Sequence, residues 1–228
     1  HTNESQSKRL SQRVVSDPPE QLFVRQDTTD DALFYATPRL VTHIDDATIE
    51  ALTDFYRETL TQGGRVLDLM SSWISHLPGD VYYAHVAGLG MNQAELDANP
   101  RLTERVVHDL NRDPQLPWTE GAFDAVLIAV SVQYLTQPYA VFAEIGRVLS
   151  PGGSAIVAMS HRCFPTKAVY AFHVLAPNER MQLVGSYLDR SGMFEHIEAL
   201  DRSPEGADPL WLVRGIRAYL AADQRALC

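Results

Sequence analysis

The run Phe123-Asp-Ala-Val-Leu-Ile-Ala-Val130, followed by Val141-Phe-Ala-Glu-Ile-Gly-Arg-Val-Leu-Ser-Pro-Gly-Gly153 and then Ser154–Met159, decides the architecture. The first run is strand-length and nearly all apolar, the pattern of a strand covered on both faces. In the second, Val141, Ile145, Val148 and Leu149 fall at helical spacing, and Pro151-Gly152-Gly153 turns the chain out of that helix. Ser154–Met159 is apolar enough to return as a strand. Strand, helix and strand in succession specify a parallel crossover unit.

The same rhythm extends outward from that unit. Arg65–Met70, Val81–Leu89 and Arg105–His108 read as further strands. Ile44, Ala47, Ala51, Leu52 and Phe55 recur at helical spacing behind Asp45-Asp46, and Gly63-Gly64 stops that helix. Met193–Leu200 and Leu210–Val213 suit a closing antiparallel pair. The expected fold is α/β and doubly wound: a mostly parallel sheet of about seven strands, helices on both faces and an antiparallel C-terminal strand. Residues 1–20, polar and ending in Asp17-Pro18-Pro19, read as a flexible leader. Residues 21–62 read as an N-terminal helical cap and 63–228 as the α/β domain, one globular unit with the cap.

Composition narrows the partner. The formal net charge is −10 and no Lys/Arg run interrupts it, so a phosphate backbone is repelled over most of the surface and nucleic acid is not expected. No signal-like h-region opens the chain, and the apolar runs fall well short of the roughly 20 residues that span a bilayer. Cys163 and Cys228 form neither a disulfide framework nor a zinc spacing. A cytoplasmic protein with a small-molecule partner, no metal and no membrane is expected. The oligomeric state is not encoded.

In a doubly wound sheet, ligands sit beyond the carboxyl ends of the strands, so those ends are where chemistry is sought. They read Val66-Leu-Asp-Leu-Met-Ser-Ser-Trp73, Ala87-Gly-Leu-Gly-Met-Asn92, Val107-His-Asp-Leu-Asn111 and Ala129-Val-Ser-Val-Gln-Tyr134. The Asp109 strand end, the Leu116-Pro117-Trp118 loop and Phe123-Asp-x-Val126 follow in order, and the Glu144-x-x-Arg-Val-Leu-x-Pro-Gly-Gly153 string closes the set. Together these motifs, over about Gly64–Met159, resemble class I S-adenosylmethionine-dependent methyltransferases of the type-11-like kind, a Rossmann-like superfamily.

The resemblance implies S-adenosyl-L-methionine as cofactor, held at Asp68, Met70, Ser71, Ser72, Gly90, Met91, Asn92, Asp109, Leu110, Asn111, Val130 and Ser131, with Tyr35 and Arg39 closing from the N-terminal segment. Asp109 would accept from the adenine amino group. The glycine-rich first motif is altered, with Met70, Ser72 and Ile74 at its glycine positions, and Gly90 stands where the family has a ribose-binding acid. Asn92 is the expected substitute there, beside the plain reading of a glycine turn before a helix. Arg39 suits a carboxylate, because guanidinium forks pair with it bidentately. His161 and Tyr134 are the candidate catalytic residues, His161 as general base. The activity implied is methyl transfer to an oxygen, nitrogen or carbon of a small molecule. Two other readings stand beside it: non-methyl-transfer use of the cofactor, such as cyclisation, and a non-catalytic binding protein.

Overall fold

The computed structural model describes residues 7–9 and 19–220. Its strands are β1 (Ser7–Arg9), β2 (Arg65–Leu69), β3 (His85–Gly90), β4 (Glu104–Val107), β5 (Phe123–Ala129), β6 (Leu149–Met159), β7 (Phe194–Asp201) and β8 (Trp211–Arg217). They form one sheet in the order β1-β7-β8-β6-β5-β2-β3-β4. Strands β2 to β6 pair in parallel, while β8 joins β6 antiparallel and β7 joins β8 antiparallel. The expected sheet is therefore present, with short β1 added on the outer edge of β7. Of the leader expected over 1–20, Ser7–Arg9 are that edge strand rather than a flexible stretch; residues 1–6 and 10–18 lie outside the described residues.

The helices are α1 (Asp31–Phe34), α2 (Asp46–Thr59), α3 (Gln93–Ala98), α4 (Pro138–Val148), α5 (Ala171–Val174) and α6 (Pro177–Arg190). Asp45 caps α2 by accepting from the Thr48 N–H at 3.0 Å. Its apolar stripe, Leu52, Phe55 and Tyr56, buries against Val66, Val86, Leu127 and Ile156. Each such side chain contributes roughly 1.5–3 kcal/mol. That packing corrects the expectation of a cap over 21–62. Helix α2 is a layer of the α/β core, and only the segment before it, through His43, reaches the strand ends. The opposite face of the sheet is covered by α4 and α6, through Val141, Phe142, Ile145, Val184, Tyr187 and Leu188.

The connection from β2 to β3 carries no helix; residues 70–84 are irregular. Serine hydroxyls fix its path, for Ser71 Oγ and Ser75 Oγ each donate to Asp68 Oδ2 at 2.6 Å. The Asn99 amide donates to the Ser72 carbonyl at 2.9 Å and to Ser75 Oγ at 2.8 Å. Such side-chain bonds compete with helix formation, and Pro78-Gly79 would interrupt a helix in any case. Among the described residues, no helix is long and apolar enough to cross a membrane.

Candidate functional site

The carboxyl ends of β2, β3, β4 and β5 and the segment from Asp31 to His43 enclose a cavity of about 250 Å³. Every predicted cofactor residue lines it: Tyr35, Arg39, Asp68, Met70, Ser71, Ser72, Gly90, Met91, Asn92, Asp109, Leu110, Asn111, Val130 and Ser131. Tyr134 lines it as well. His161 does not. Its half-exposed ring points instead toward Asp208, with Nε2 3.7 Å from Oδ1, so the expectation of a base at that position is corrected.

At the end of β2, Asp68 is buried beneath the two serine hydroxyls. Burial pushes its carboxyl up to about 6, against the lowering effect of those hydrogen bonds. Met70 takes φ 56° at a position where the family carries glycine, so the left-handed turn survives without the residue that adopts it at least cost.

The end of β3 explains the missing acid. A Cβ on Gly90 would lie 2.4 Å from the Ser71 carbonyl oxygen, so the first loop occupies the space of any side chain. Asn92 does not replace it. Its oxygen caps α3 by accepting from the Glu95 N–H at 3.1 Å, and its amide nitrogen donates to the Tyr35 and Ala36 carbonyls at 2.9 and 3.2 Å. Glu95, one turn further on, also lines the cavity. It accepts from Ser72 Oγ at 2.7 Å and from the Arg39 N–H at 3.3 Å.

At the end of β4, Asp109 Oδ1 accepts from the Asn111 N–H at 2.9 Å, and the carboxylate keeps acceptor capacity toward the cavity. The Asn111 side chain is occupied within the protein. It donates to Asp31 Oδ2 and to the Tyr134 carbonyl, each at 2.9 Å, and accepts from the Thr136 N–H at 2.9 Å; its role is to brace the cavity. Past β5, Val130 adopts φ 48°, an outlier for a β-branched residue that costs of order 1–3 kcal/mol. The Ser131 hydroxyl beyond it is buried with no partner.

A buried ion cluster fastens the N-terminal segment over these strand ends. Lys167, fully buried, donates to Asp31 Oδ1 at 2.8 Å and to the Thr29 carbonyl at 2.9 Å. Arg25 Nη1 reaches both Asp31 oxygens at 2.8 and 3.0 Å. Burial alone would raise the Asp31 carboxyl, but hydrogen bonds from Lys167, Asn111 and Arg25 outweigh it and hold it below the ordinary value. Beside this cluster, the Arg39 guanidinium lies over the rings of Phe34, Tyr35 and Phe164 at 4.7, 5.7 and 5.1 Å. One arm donates to the Phe34 carbonyl at 3.0 Å, while Nη1 is buried without a partner.

Residues 69–157 match the family model described as Methyltransferase domain. This match, over less than half of the chain, together with the strand order likens the chain to the class I S-adenosylmethionine-dependent methyltransferases. A demethylmenaquinone methyltransferase of Renibacterium salmoninarum is 37% identical over 62 residues, 26% of either chain; the match thus spans about a quarter of that relative's length. Among solved structures, the [4+2]-cyclase SpnF superposes with a TM-score of 0.56 at 16% identity, over 74% of this chain and 81% of its own. Phosphoethanolamine N-methyltransferase 2 of Haemonchus contortus, in complex with S-adenosyl-L-methionine, gives 0.55 at 13%, over 75% and 52%. An S-adenosylmethionine-dependent methyltransferase from Mesorhizobium loti gives 0.51 at 19%, over 73% and 98%. At such identities the likeness is one of fold.

Sequence reasoning missed Glu95, His43, His76, Asp31 and Phe164, all in the cavity wall. Glu95 did carry a signal: Asn92-x-x-Glu95 is the spacing of a helix capping box, and here the glutamate turns from the cap toward the cavity. Asp31 and its distant partner Lys167 carried none.

Proposed function

We propose that the chain binds S-adenosyl-L-methionine across the ends of β4, β3 and β2 and transfers its methyl group to a small molecule. The observation that carries this reading is the set of buried polar atoms lacking partners. Arg39 Nη1 and Ser131 Oγ both belong to residues lining this cavity, and leaving such an atom unpaired costs about 1–3 kcal/mol unless a ligand meets it. The cofactor is linear: adenine, ribose, amino acid. The end of β4, helix α3 and the N-terminal segment offer partners in the same sequence. Asp109 would receive the adenine amino group, Glu95 would take the ribose hydroxyls that Gly90 cannot, and Arg39 would pair with the carboxylate.

The cofactor supplies an activated methyl group; the chain's residues hold and align it and exclude water, which accounts for much of the rate in such a transfer. Tyr134, whose hydroxyl accepts from the Phe164 N–H at 2.8 Å, shapes the wall beside Ser131. The free thiol of Cys163 fits a reducing, cytoplasmic setting.

Calorimetric titration with S-adenosylhomocysteine tests the reading. Micromolar binding is expected, weakened about tenfold or more in Asp109→Ala, Glu95→Ala and Arg39→Ala. No binding by folded protein would refute it and favour a non-catalytic role. The altered glycine turn at Met70, Ser72 and Ile74 and the superposition on a cyclase support a second reading, non-methyl-transfer chemistry on the same bound cofactor. Mass spectrometry of products separates the two.

A further inference from the structure

Two imidazoles in the cavity wall have no part in the cofactor contacts above. His76 is nine-tenths buried, and its Nδ1 is wholly so and lacks a partner. Among the described residues, the ring forms no hydrogen bond with the protein. The residue is nevertheless held in a set position: its backbone takes φ 58°, and its carbonyl accepts from Thr53 Oγ1 at 2.9 Å. His43 stands near enough for the two charges to oppose each other, and its ring meets Phe164 edge-on at 5.5 Å. Phe164 in turn packs on Phe34, Tyr35 and Tyr134 at 5.5, 6.3 and 5.9 Å. A neutral imidazole offers one donor and one acceptor, and an aromatic wall offers planar contact.

We propose that His43 and His76 form the acceptor end of the cavity, that this end takes a planar ring bearing a hydroxyl, such as a phenol or enol, and that His76 receives the hydroxyl proton during transfer. The proposal rests on the methyltransferase reading. In the step, the acceptor oxygen bonds to the methyl carbon through a lone pair, the electrons of the methyl–sulfur bond stay on sulfur, and the proton moves from that oxygen to an imidazole nitrogen. The products are a methyl ether, a neutral thioether and an imidazolium that returns its proton to solvent.

Burial pushes His76 down to about 4, with His43 adding to the effect, and burial is also the main cause lowering His43, where Glu95 acts to raise it and Arg39 to lower it. Both rings are therefore neutral near pH 7, which suits a hydroxyl better than a carboxylate. Weak basicity is no obstacle. An ether oxygen that still carries its proton is far more acidic than imidazolium, so even this ring removes it.

The test is NMR of protein labelled with ¹⁵N-histidine and loaded with S-adenosylhomocysteine, titrated with phenol and, separately, with anisole. Phenol is expected to shift the ring nitrogens of His76 and His43 with saturation in the millimolar range. Anisole, lacking the hydroxyl, should bind at least fivefold more weakly. His76→Phe and, as a second variant, His43→Phe should each weaken phenol binding at least fivefold and leave S-adenosylhomocysteine affinity within twofold. Unmoved imidazoles in a loaded protein, or equal phenol affinity in both variants, would overturn this inference alone. Failure of S-adenosylhomocysteine to bind would overturn the methyltransferase reading and this inference with it.

Discussion

Replacing Gly90 with alanine tests whether the end of β3 is closed to side chains. The added Cβ would lie 2.4 Å from the Ser71 carbonyl oxygen and 3.1 Å from Leu96 Cδ2. Real Cβ contacts essentially never fall under 3.0 Å, so the loop must retreat by about 0.6 Å. It is not free to do so. The Ser71 N–H donates to the Leu89 carbonyl at 2.7 Å, Ser71 Oγ to Asp68 at 2.6 Å, and Asn99 holds the Ser72 carbonyl. Overpacking against a pinned backbone costs about 3 kcal/mol, and in a chain of this size that lowers Tm by roughly 6–12 °C. Gly79→Ala is the control: no atom lies within 4 Å of its Cβ, so stability should hold or rise by about 0.5 kcal/mol. Circular dichroism melts and calorimetry with S-adenosylhomocysteine provide the readouts. Gly90→Asp, which restores the family's acid in sequence, should weaken cofactor binding for the same steric reason. A Gly90→Ala melt unchanged from the parent, or tighter binding by Gly90→Asp, would refute the reasoning.

Asp31→Ala leaves Lys167 buried without its nearest carboxylate and is expected to lose about 3–5 kcal/mol in urea unfolding; Asp31→Asn with Lys167→Met should lose less, because the fully buried ammonium is removed and only the partly exposed Arg25 loses its carboxylate. Asp68 has its folded pKa raised from 3.8 to about 6, so the native state holds an extra proton between those values, and this residue's contribution to stability is lost as pH rises through the window. Asp68→Asn, measured as unfolding free energy against pH, should remove a slope amounting to about 2–3 kcal/mol across that window; an unchanged profile would contradict the burial argument. Arg39→Lys keeps the charge but loses the planar stack on Phe34, Tyr35 and Phe164, so S-adenosylhomocysteine affinity should fall about tenfold.

The parallel sheet was legible because apolar strand runs and the Pro-Gly-Gly turn are local signals, and the strand ends carrying Asp68, Asp109 and Ser131 converge in space wherever that sheet forms. What was not legible arises from contacts between distant parts of the chain. Asn92 and Glu95 both line the cavity, but the Asn92 amide is taken up by the carbonyls of Tyr35 and Ala36, nearly sixty residues away in sequence. The positions of His161 and His76 likewise depend on distant contacts. A histidine after a strand looks well placed, but Asp208 draws His161 outward, while His76 is carried inward by a loop whose path depends on Asp68, Thr53 and Asn99.

That loop bears on how chains of this kind are recognised. Its curvature is imposed by a carboxylate gripping two hydroxyls, with an asparagine from the following segment completing the clasp. A signature of Asp68, Ser71, Ser75 and a later Asn99 describes chains that reach this bend through side-chain chemistry rather than through repeated glycines. Such chains should tolerate bulky residues at the former glycine positions, yet be intolerant of losing either serine.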